Sequence, residues 1–421
     1  MKNNAARKLR QVPVGYLRVG VDPHKKRHVA VTMTEDFLVQ GKFKFTNSRD
    51  GFEEALERAR ADMEKAGCQG VIFAIEVSSH LWRNFAYFLD EKGIPFRLIN
   101  PFSLKRRREG KDLNRRKNDF RDAEVAAQLL CTGEFTETTL PQGVYAELRA
   151  TYNAYRRVVE EKTRLINLLK GLLDGLFPEF TQVFKEVNGQ TALRVLSVCP
   201  TPGLINRMTE DEFIKFVKEG YQGRLMTRKL LALHYVARHS AGVKAGAWSV
   251  SFEIALLAEK LCLVNRHIRQ IEQTLVRLVD ETEEGKHLLS ITGLGYISVA
   301  GLLAELGSFR SYQNARQMIK MAGSNPTESE SAGKRKSNTP MSKKGRPGLR
   351  HCGWTAVVSL LGRNPEFRTW AKKLRERPAH ANPLSGKEIV GAGINKLLRI
   401  GFTLVKKQIY YQLPQVAQLV G

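Results

Sequence analysis

No stretch of the chain stays apolar over the roughly 20 residues that a transmembrane helix needs. Met1 to Arg10 likewise lacks the apolar core of a signal peptide. These absences set aside membrane insertion and export, and make a cytoplasmic location the expectation. Cysteine is sparse: Cys68, Cys131, Cys199, Cys262 and Cys352 are odd in number and scattered, with no close-spaced pair. A disulfide framework and a thiolate zinc site are therefore unsupported, and the five thiols read as reduced structural residues. The third deficit is acid. Asp and Glu number 42 against 68 Lys and Arg, a formal charge of +26 with a pI near 10.0. Such a balance points to nucleic acid, with an anionic membrane surface as the competing partner. At 421 residues, the chain has room for two or three domains with cores of their own.

Against this scarcity, a few carboxylates stand in telling places. Tyr16 to Asp22 alternates as a strand should, and after Pro23 to Arg27 the run His28 to Met33 reads as its hairpin partner. Asp22 thus falls at a strand end, where an Asp before Pro is also a common turn former. Gly51 to Ala66 is a helix with Phe52, Leu56 and Ala59 on one side. Val71 to Ile75 is a continuous apolar run typical of a buried strand, and it ends on Glu76, a carboxylate costly to bury without a partner or a metal. A helix over Leu81 to Lys92 and a short strand over Ile94 to Asn100 follow. Next, Asp119 and Asp122 open an apolar run from Ala123 to Leu130; on a helix, positions three apart share a face. From Lys105 to Arg121 there are nine basic residues, Arg106, Arg107, Arg108, Arg115, Arg116 and Lys117 among them, against three acids. A carboxylate pair in a phosphate-attracting segment suits a divalent cation that bridges to substrate phosphates. Taken alone, the pair reads equally as a helix cap and a dipole partner. The order predicted is strand, strand, helix, strand, helix, strand, helix: a mixed α/β sheet, in which functional groups gather at strand ends and helix starts.

Past Pro141 the pattern turns helical. Leu148, Tyr152, Tyr155, Val159, Leu165, Leu169, Leu172 and Leu176 run at helical spacing until Phe177-Pro178 stops them. After a less regular region, Ile254, Leu257, Leu261, Val264, Ile268, Ile271, Leu275 and Leu278 form a heptad seam, which predicts coiled-coil pairing with the first helix or with a second copy. Further on, Gly293-Leu294-Gly295 at a helix start exposes backbone N–H groups suited to a phosphate, as in helix-hairpin-helix modules, though a plain helix N-terminus fits as well. From Ser331 to Arg350 there are seven basic residues, including Lys334, Arg335, Lys336, Lys343, Lys344 and Arg346, and no acid. A serine hydroxyl in that field has cations at hand to stabilise a phosphorane-like transition state; a basic loop with incidental serines is the other reading.

Gly20-Val21-Asp22 with its hairpin, Ala74-Ile75-Glu76 and Asp119-Phe120-Arg121-Asp122-Ala123 together resemble the DEDD set of the IS110/IS1111 family of transposases, which includes the Piv-related invertases. Ala322-Gly323-x-x-Pro326, a serine five residues on, Gly333, Ser342-Lys343-x-Gly345 and Leu349-Arg350 resemble the motif bearing that family's nucleophilic serine. By register that serine is Ser331, with Ser329 in reserve. The chain departs from the pattern at Ala332, where the family usually has Gly, and at Ser324, where it has an apolar residue. The resemblance implies α/β plus α architecture. A ribonuclease H-like (RuvC-like) domain would span 15–135, a helical coiled-coil assembly region 140–285, and a mainly helical domain with the serine 286–421. It further implies that Asp22, Glu76, Asp119 and Asp122 hold one or two Mg²⁺ ions and that Ser331 forms a covalent phosphoserine with DNA. The partners implied are donor and target DNA, a structured noncoding guide RNA, and further copies of the chain in a homodimer or homotetramer. The residues themselves leave room for a hydrolytic nuclease of junction-resolvase type, for a non-catalytic nucleic-acid-binding protein and, remotely, for an actin-like phosphotransferase.

Overall fold

The computed structural model describes residues 4–111, 118–136, 140–327, 330–331, 334–335, 340–378 and 382–412. The chain divides into two compact units, Met1–Leu140 and Pro141–Gly421.

In the first unit a short helix α1 (Asn4–Leu9) leads into β1 (Tyr16–Asp22), β2 (Arg27–Met33) and β3 (Val39–Thr46). Helix α2 (Arg49–Lys65), β4 (Gly70–Glu76), α3 (Arg83–Glu91), β5 (Phe96–Ile99), α4 (Pro101–Lys111) and α5 (Asp119–Cys131) follow. The sheet order is β3-β2-β1-β4-β5; β1 is antiparallel to β2 and β2 to β3, whereas β1, β4 and β5 run parallel. This mixed five-stranded topology fits a ribonuclease H-like domain.

Strand alternation decides which helix covers which face. Leu17, Val19 and Val21 of β1 and Val71, Phe73 and Ile75 of β4 pack with Phe52, Leu56, Phe85 and Leu89 of α2 and α3. On the other face, Ile72 and Ala74 meet Val125, Ala126, Leu129 and Leu130 of α5. Gly20 lies on that face, and a Cβ there would sit 1.8 Å from the Ala123 carbonyl oxygen, so α5 rests directly on the β1 backbone.

Strand β3 is absent from the order predicted by the sequence. Phe43 and Phe45 point into the core while Lys42 and Lys44 remain exposed. Outward lysines protect a sheet edge from further pairing, and they dilute the apolar signal that reveals inner strands.

The second unit is built on two 34-residue helices, α6 (Gly143–Leu176) and α12 (Ala247–Asp280). Five short helices lie between them: α7 (Phe180–Val183), α8 (Gln190–Val198), α9 (Pro202–Ile205), α10 (Glu210–Lys218) and α11 (Thr227–Ala237). The heptad seam of α12 is used within the chain. Ile254, Leu257, Leu261, Val264 and Ile268 bury against Leu165, Leu169 and Leu173 of α6 and the residues of α8. Leu275 and Leu278 join Leu148 and Tyr152 in a second core shared with the C-terminal helices.

Those helices are α13 (Glu283–Leu289), α14 (Tyr296–Leu306), α15 (Ala315–Ala322), α16 (Pro347–Arg363), α17 (Pro365–Arg375) and α18 (Gly386–Lys407). A two-stranded ribbon, β6 (Glu330–Ser331) and β7 (Lys334–Arg335), stands between α15 and α16. Among the described residues no helix is long and apolar enough to cross a membrane.

Candidate metal centre and serine hairpin

Because Val21 pairs in parallel with Ile75, the residues that follow, Asp22 and Glu76, stand at adjoining strand ends on the α5 side of the sheet. Asn118 caps α5 by accepting a hydrogen bond from the Phe120 amide at 3.0 Å, which starts the helix at Asp119. Asp119 and Asp122 therefore lie in its first turn, where the helix dipole favours negative charge. The β1–β2 turn adds a residue that sequence reasoning passed over. His24 Nε2 lies 3.2 Å from Asp22 Oδ2 and 3.5 Å from Asp119 Oδ2. The ligand atoms of Asp22, His24 and Asp119 all fall within 4.8 Å of one another.

The turn is held from below. The His24 amide donates to His28 Nδ1 at 3.0 Å, and His28 is fully buried among Phe45, Phe52 and Phe85. Burial pushes the His28 pKa down to about 4, so the ring stays neutral and its Nδ1 can accept. A signal was available in the sequence: a histidine two residues beyond a strand-end Asp, on a turn short enough to fold back.

Glu76, half-buried, occupies the adjoining strand end. The carboxylate of Asp122 is buried and taken by Arg108, whose Nη1 lies 2.6 and 2.8 Å from its two oxygens. Asp22 and Asp119 thus meet at one point with His24, while Asp122 is bound to a cation of the chain. The donor set suits a divalent ion. His24 Nε2 is shielded from solvent and makes no well-directed hydrogen bond, although two carboxylate oxygens approach it. Neighbouring ligands of an octahedral ion with ~2.1 Å bonds stand about 3 Å apart, close to these separations.

The basic residues around this point have several uses. Lys25, Lys26 and Arg27 are exposed on the turn that carries His24. Arg106 lies over the Phe102 ring and Arg107 pairs with Glu134 at 3.6 Å. Arg115, Arg116 and Lys117 fall outside the described residues.

In the second unit the segment bearing Ser331 is a hairpin with a fastened base. Gly323 ends α15 in the left-handed region (φ 64°), and a Cβ there would stand 2.8 Å from the Gly345 amide, so two chain segments meet backbone to backbone. Pro326 bridges to Met341, and both the amide and the hydroxyl of Thr327 donate to the Pro340 carbonyl at 2.9 Å. Ser342 Oγ donates to Asn325 Oδ1 at 2.8 Å. Ser324, one of the two departures from the family pattern, is buried and donates to Asn395 Oδ1 of α18 at 2.5 Å, while Asn395 Nδ2 returns a bond to the Ser324 carbonyl at 3.1 Å. At the tip Ser331 pairs with Lys334 and Glu330 with Arg335. For these four residues the backbone alone is described; Ser329 and Lys336 lie outside the described residues.

Of the remaining predicted phosphate contacts, Gly293 adopts φ 92° and its carbonyl accepts from Ser359 Oγ at 2.8 Å, while Gly295 caps α14 with open space beside it. Lys343 takes the left-handed conformation (φ 52°) at the hairpin base, next to Lys344, which is exposed. Arg346 donates to the Glu305 carbonyl, a tie between two elements of the fold.

A ribonuclease H-like sheet with carboxylates gathered at the ends of β1 and β4 and the start of α5 defines the class: an enzyme of the DEDD type, which uses a divalent metal. Comparison with known proteins narrows this. Residues 19–178 match the family model of the IS110-type DEDD transposases, and residues 285–372 match that of the transposases of the IS116/IS110/IS902 family. The chain belongs to this family of transposases and is a DNA transposase or recombinase. It is 24% identical over 373 residues to the Streptomyces coelicolor mini-circle protein assigned as a transposase for IS117, covering 85% of this chain and 87% of the relative. It is 23% identical over 373 residues to the 44.8 kDa protein of insertion element IS116 from Streptomyces clavuligerus, covering 87% and 90% of the two chains. The pilin gene-inverting protein of Moraxella bovis is 26% identical over 145 residues, 33% of this chain and 44% of that one.

Proposed function

We propose that this transposase cuts and rejoins DNA through a covalent phosphoserine, with Ser331 as nucleophile and Asp22, Glu76, Asp119 and Asp122 as the carboxylate set for Mg²⁺. The observation that carries the reading is the convergence of Asp22 and Asp119, remote in sequence, at the end of β1. A bound divalent ion would polarise the scissile phosphate and offset its charge. Ser331 Oγ attacks phosphorus; the new O–P bond forms as the bond to the leaving sugar oxygen breaks. The serine proton passes to water, and the leaving oxygen takes one up. A phosphodiester remains, so a second DNA end can attack it in turn and strands are exchanged rather than lost. Asp122, held by Arg108 at 2.6 and 2.8 Å, would have to be shared between that guanidinium and a bound ion.

The exposed bases Lys25, Lys26 and Arg27 beside the carboxylates, and Lys334, Arg335, Lys336, Lys343 and Lys344 along the serine hairpin, support contacts with the DNA backbone. Gly293 and Gly295 would offer backbone amides to a further phosphate. The charge of +26 equally suits a structured RNA that selects donor and target. Assembly into a homodimer or homotetramer is supported by a stripe on α12 that the described residues leave uncovered: Trp248, Phe252, Leu256 and Leu263 are 80%, 59%, 50% and 45% exposed. A stripe of that kind fits a second copy of the same helix.

The test incubates purified protein, Mg²⁺, element-derived RNA and labelled donor and target DNA, then looks on a denaturing protein gel for an adduct. An adduct lost in both Ser331→Ala and Asp119→Ala supports the two-part mechanism. Cleavage without an adduct, equal in Ser331→Ala, assigns the chain to the hydrolytic nucleases instead.

A further inference from the structure

The geometry points to His24 as a third ligand of the carboxylate centre, giving it a nitrogen donor that the DEDD set does not contain. This rests on the reading that Asp22 and Asp119 hold a divalent cation. A histidine beside two aspartates has a simpler use, a charge-assisted hydrogen bond, and the geometry tells against it. Nε2 faces both carboxylates at 3.2 and 3.5 Å, yet neither contact is a well-directed hydrogen bond and the atom has no access to water. A cation among the three atoms, which lie within 4.8 Å of one another, would satisfy all of them at once.

The support behind His24 also matches a ligand's needs. Asp22 is fixed at the end of β1, Asp119 on the first turn of α5, and the backbone of His24 by its hydrogen bond to buried His28. Such anchoring of the shell behind a ligand is usual at metal sites, where orientation governs affinity. Chemically, imidazole suits transition-metal ions better than Mg²⁺, which prefers oxygen and gives up its waters reluctantly. His24 should therefore raise the affinity for Mn²⁺ over Mg²⁺.

The experiment uses the full chain without DNA and Mn²⁺ as the probe, with binding followed by loss of the free-ion electron paramagnetic resonance signal and ¹⁴N coupling read by electron spin echo. Wild type should show coupling to one imidazole nitrogen. His24→Ala should lose it and bind Mn²⁺ about tenfold more weakly, with Mg²⁺ affinity, from competition, changed less than about threefold. His24→Asn, which can return an oxygen to the same place, should keep Mg²⁺ binding while losing the nitrogen signal. Absence of ¹⁴N coupling in wild type, or its survival in His24→Ala, overturns the proposal. If Asp22→Asn and Asp119→Asn lose Mn²⁺ while His24→Ala binds it as wild type does, the nitrogen ligand alone is refuted. If neither aspartate variant alters binding, the carboxylate centre itself is refuted, and the nitrogen ligand with it.

Discussion

The carboxylate centre and the serine hairpin are built in opposite ways. Asp22 and Asp119 are remote in sequence and become neighbours through a helix laid on the face of the sheet, with Gly20 permitting the close approach, while the β1–β4 register sets Glu76 at the adjoining strand end. The hairpin is local: its base, residues 323–327 and 340–345, is fastened by backbone pairing and by a few side-chain hydrogen bonds. The first kind of site fails when packing fails. The second fails when a handful of polar contacts at its base are cut, leaving the core intact.

Substitution at the reacting groups separates the two most sharply. Asp22→Asn or Asp119→Asn should lower strand cleavage about a thousandfold or more, equivalent to several kcal/mol of lost charge stabilisation. Ser331→Ala should abolish the covalent adduct while leaving Mn²⁺ affinity at its wild-type value, as measured by titration of the free ion.

Gly20→Val tests the packing side. A side chain at Gly20 must displace α5, so urea unfolding should show a loss of about 3 kcal/mol, with hydrogen exchange accelerated in β1 and α5. Wild-type exchange there would refute the claim that α5 sits on the β1 backbone.

Cutting the base of the hairpin has a smaller effect. Asn395→Ala leaves the buried Ser324 hydroxyl only its longer contact to the Ile319 carbonyl, 3.4 Å, and should cost about 1 kcal/mol. The rate of adduct formation should fall as well, with metal affinity unchanged. Ser324→Ala combined with Asn395→Ala should cost less than the sum of the single changes, because the two groups share one interaction. Additive losses would mean that the pair does not act as a unit.

Trp248→Glu should have the smallest effect on the single chain, within about 0.5 kcal/mol, because the side chain is 80% exposed. Its effect belongs to assembly. The mass measured by light scattering should drop toward that of one chain, and an unchanged mass removes the α12 stripe as a contact between copies.

Most of the first unit was legible because its inner strands are apolar throughout and end abruptly on acids. Val71 to Ile75 with Glu76 is the clearest case, and β4 closes on Glu76 as expected. Strand β3 was missed because exposed lysines alternate with Phe43 and Phe45, and α4 was read only as basic charge. His24 went unnoticed because a single histidine in a turn has no periodicity to mark it. The pairing of Asp122 with Arg108 was likewise unreadable, since it joins the ends of two helices across a segment whose sequence shows only an excess of cations.

By itself, the sequence determined the helix and strand periods, the acids at strand ends and helix start, the basic character and the family likeness, because these depend on residue type and spacing along the chain. It determined the heptad seam of α12 too, but left open what would cover it. Tertiary structure decided that the seam is spent on α6 and α8, that Asp22, His24 and Asp119 share one point, and that Ser324 is tied to Asn395. The physical reason is that apolar periodicity states how much surface must be buried, whereas the partner, and the polar groups brought together as a result, follow only when all the elements compete for the same contacts.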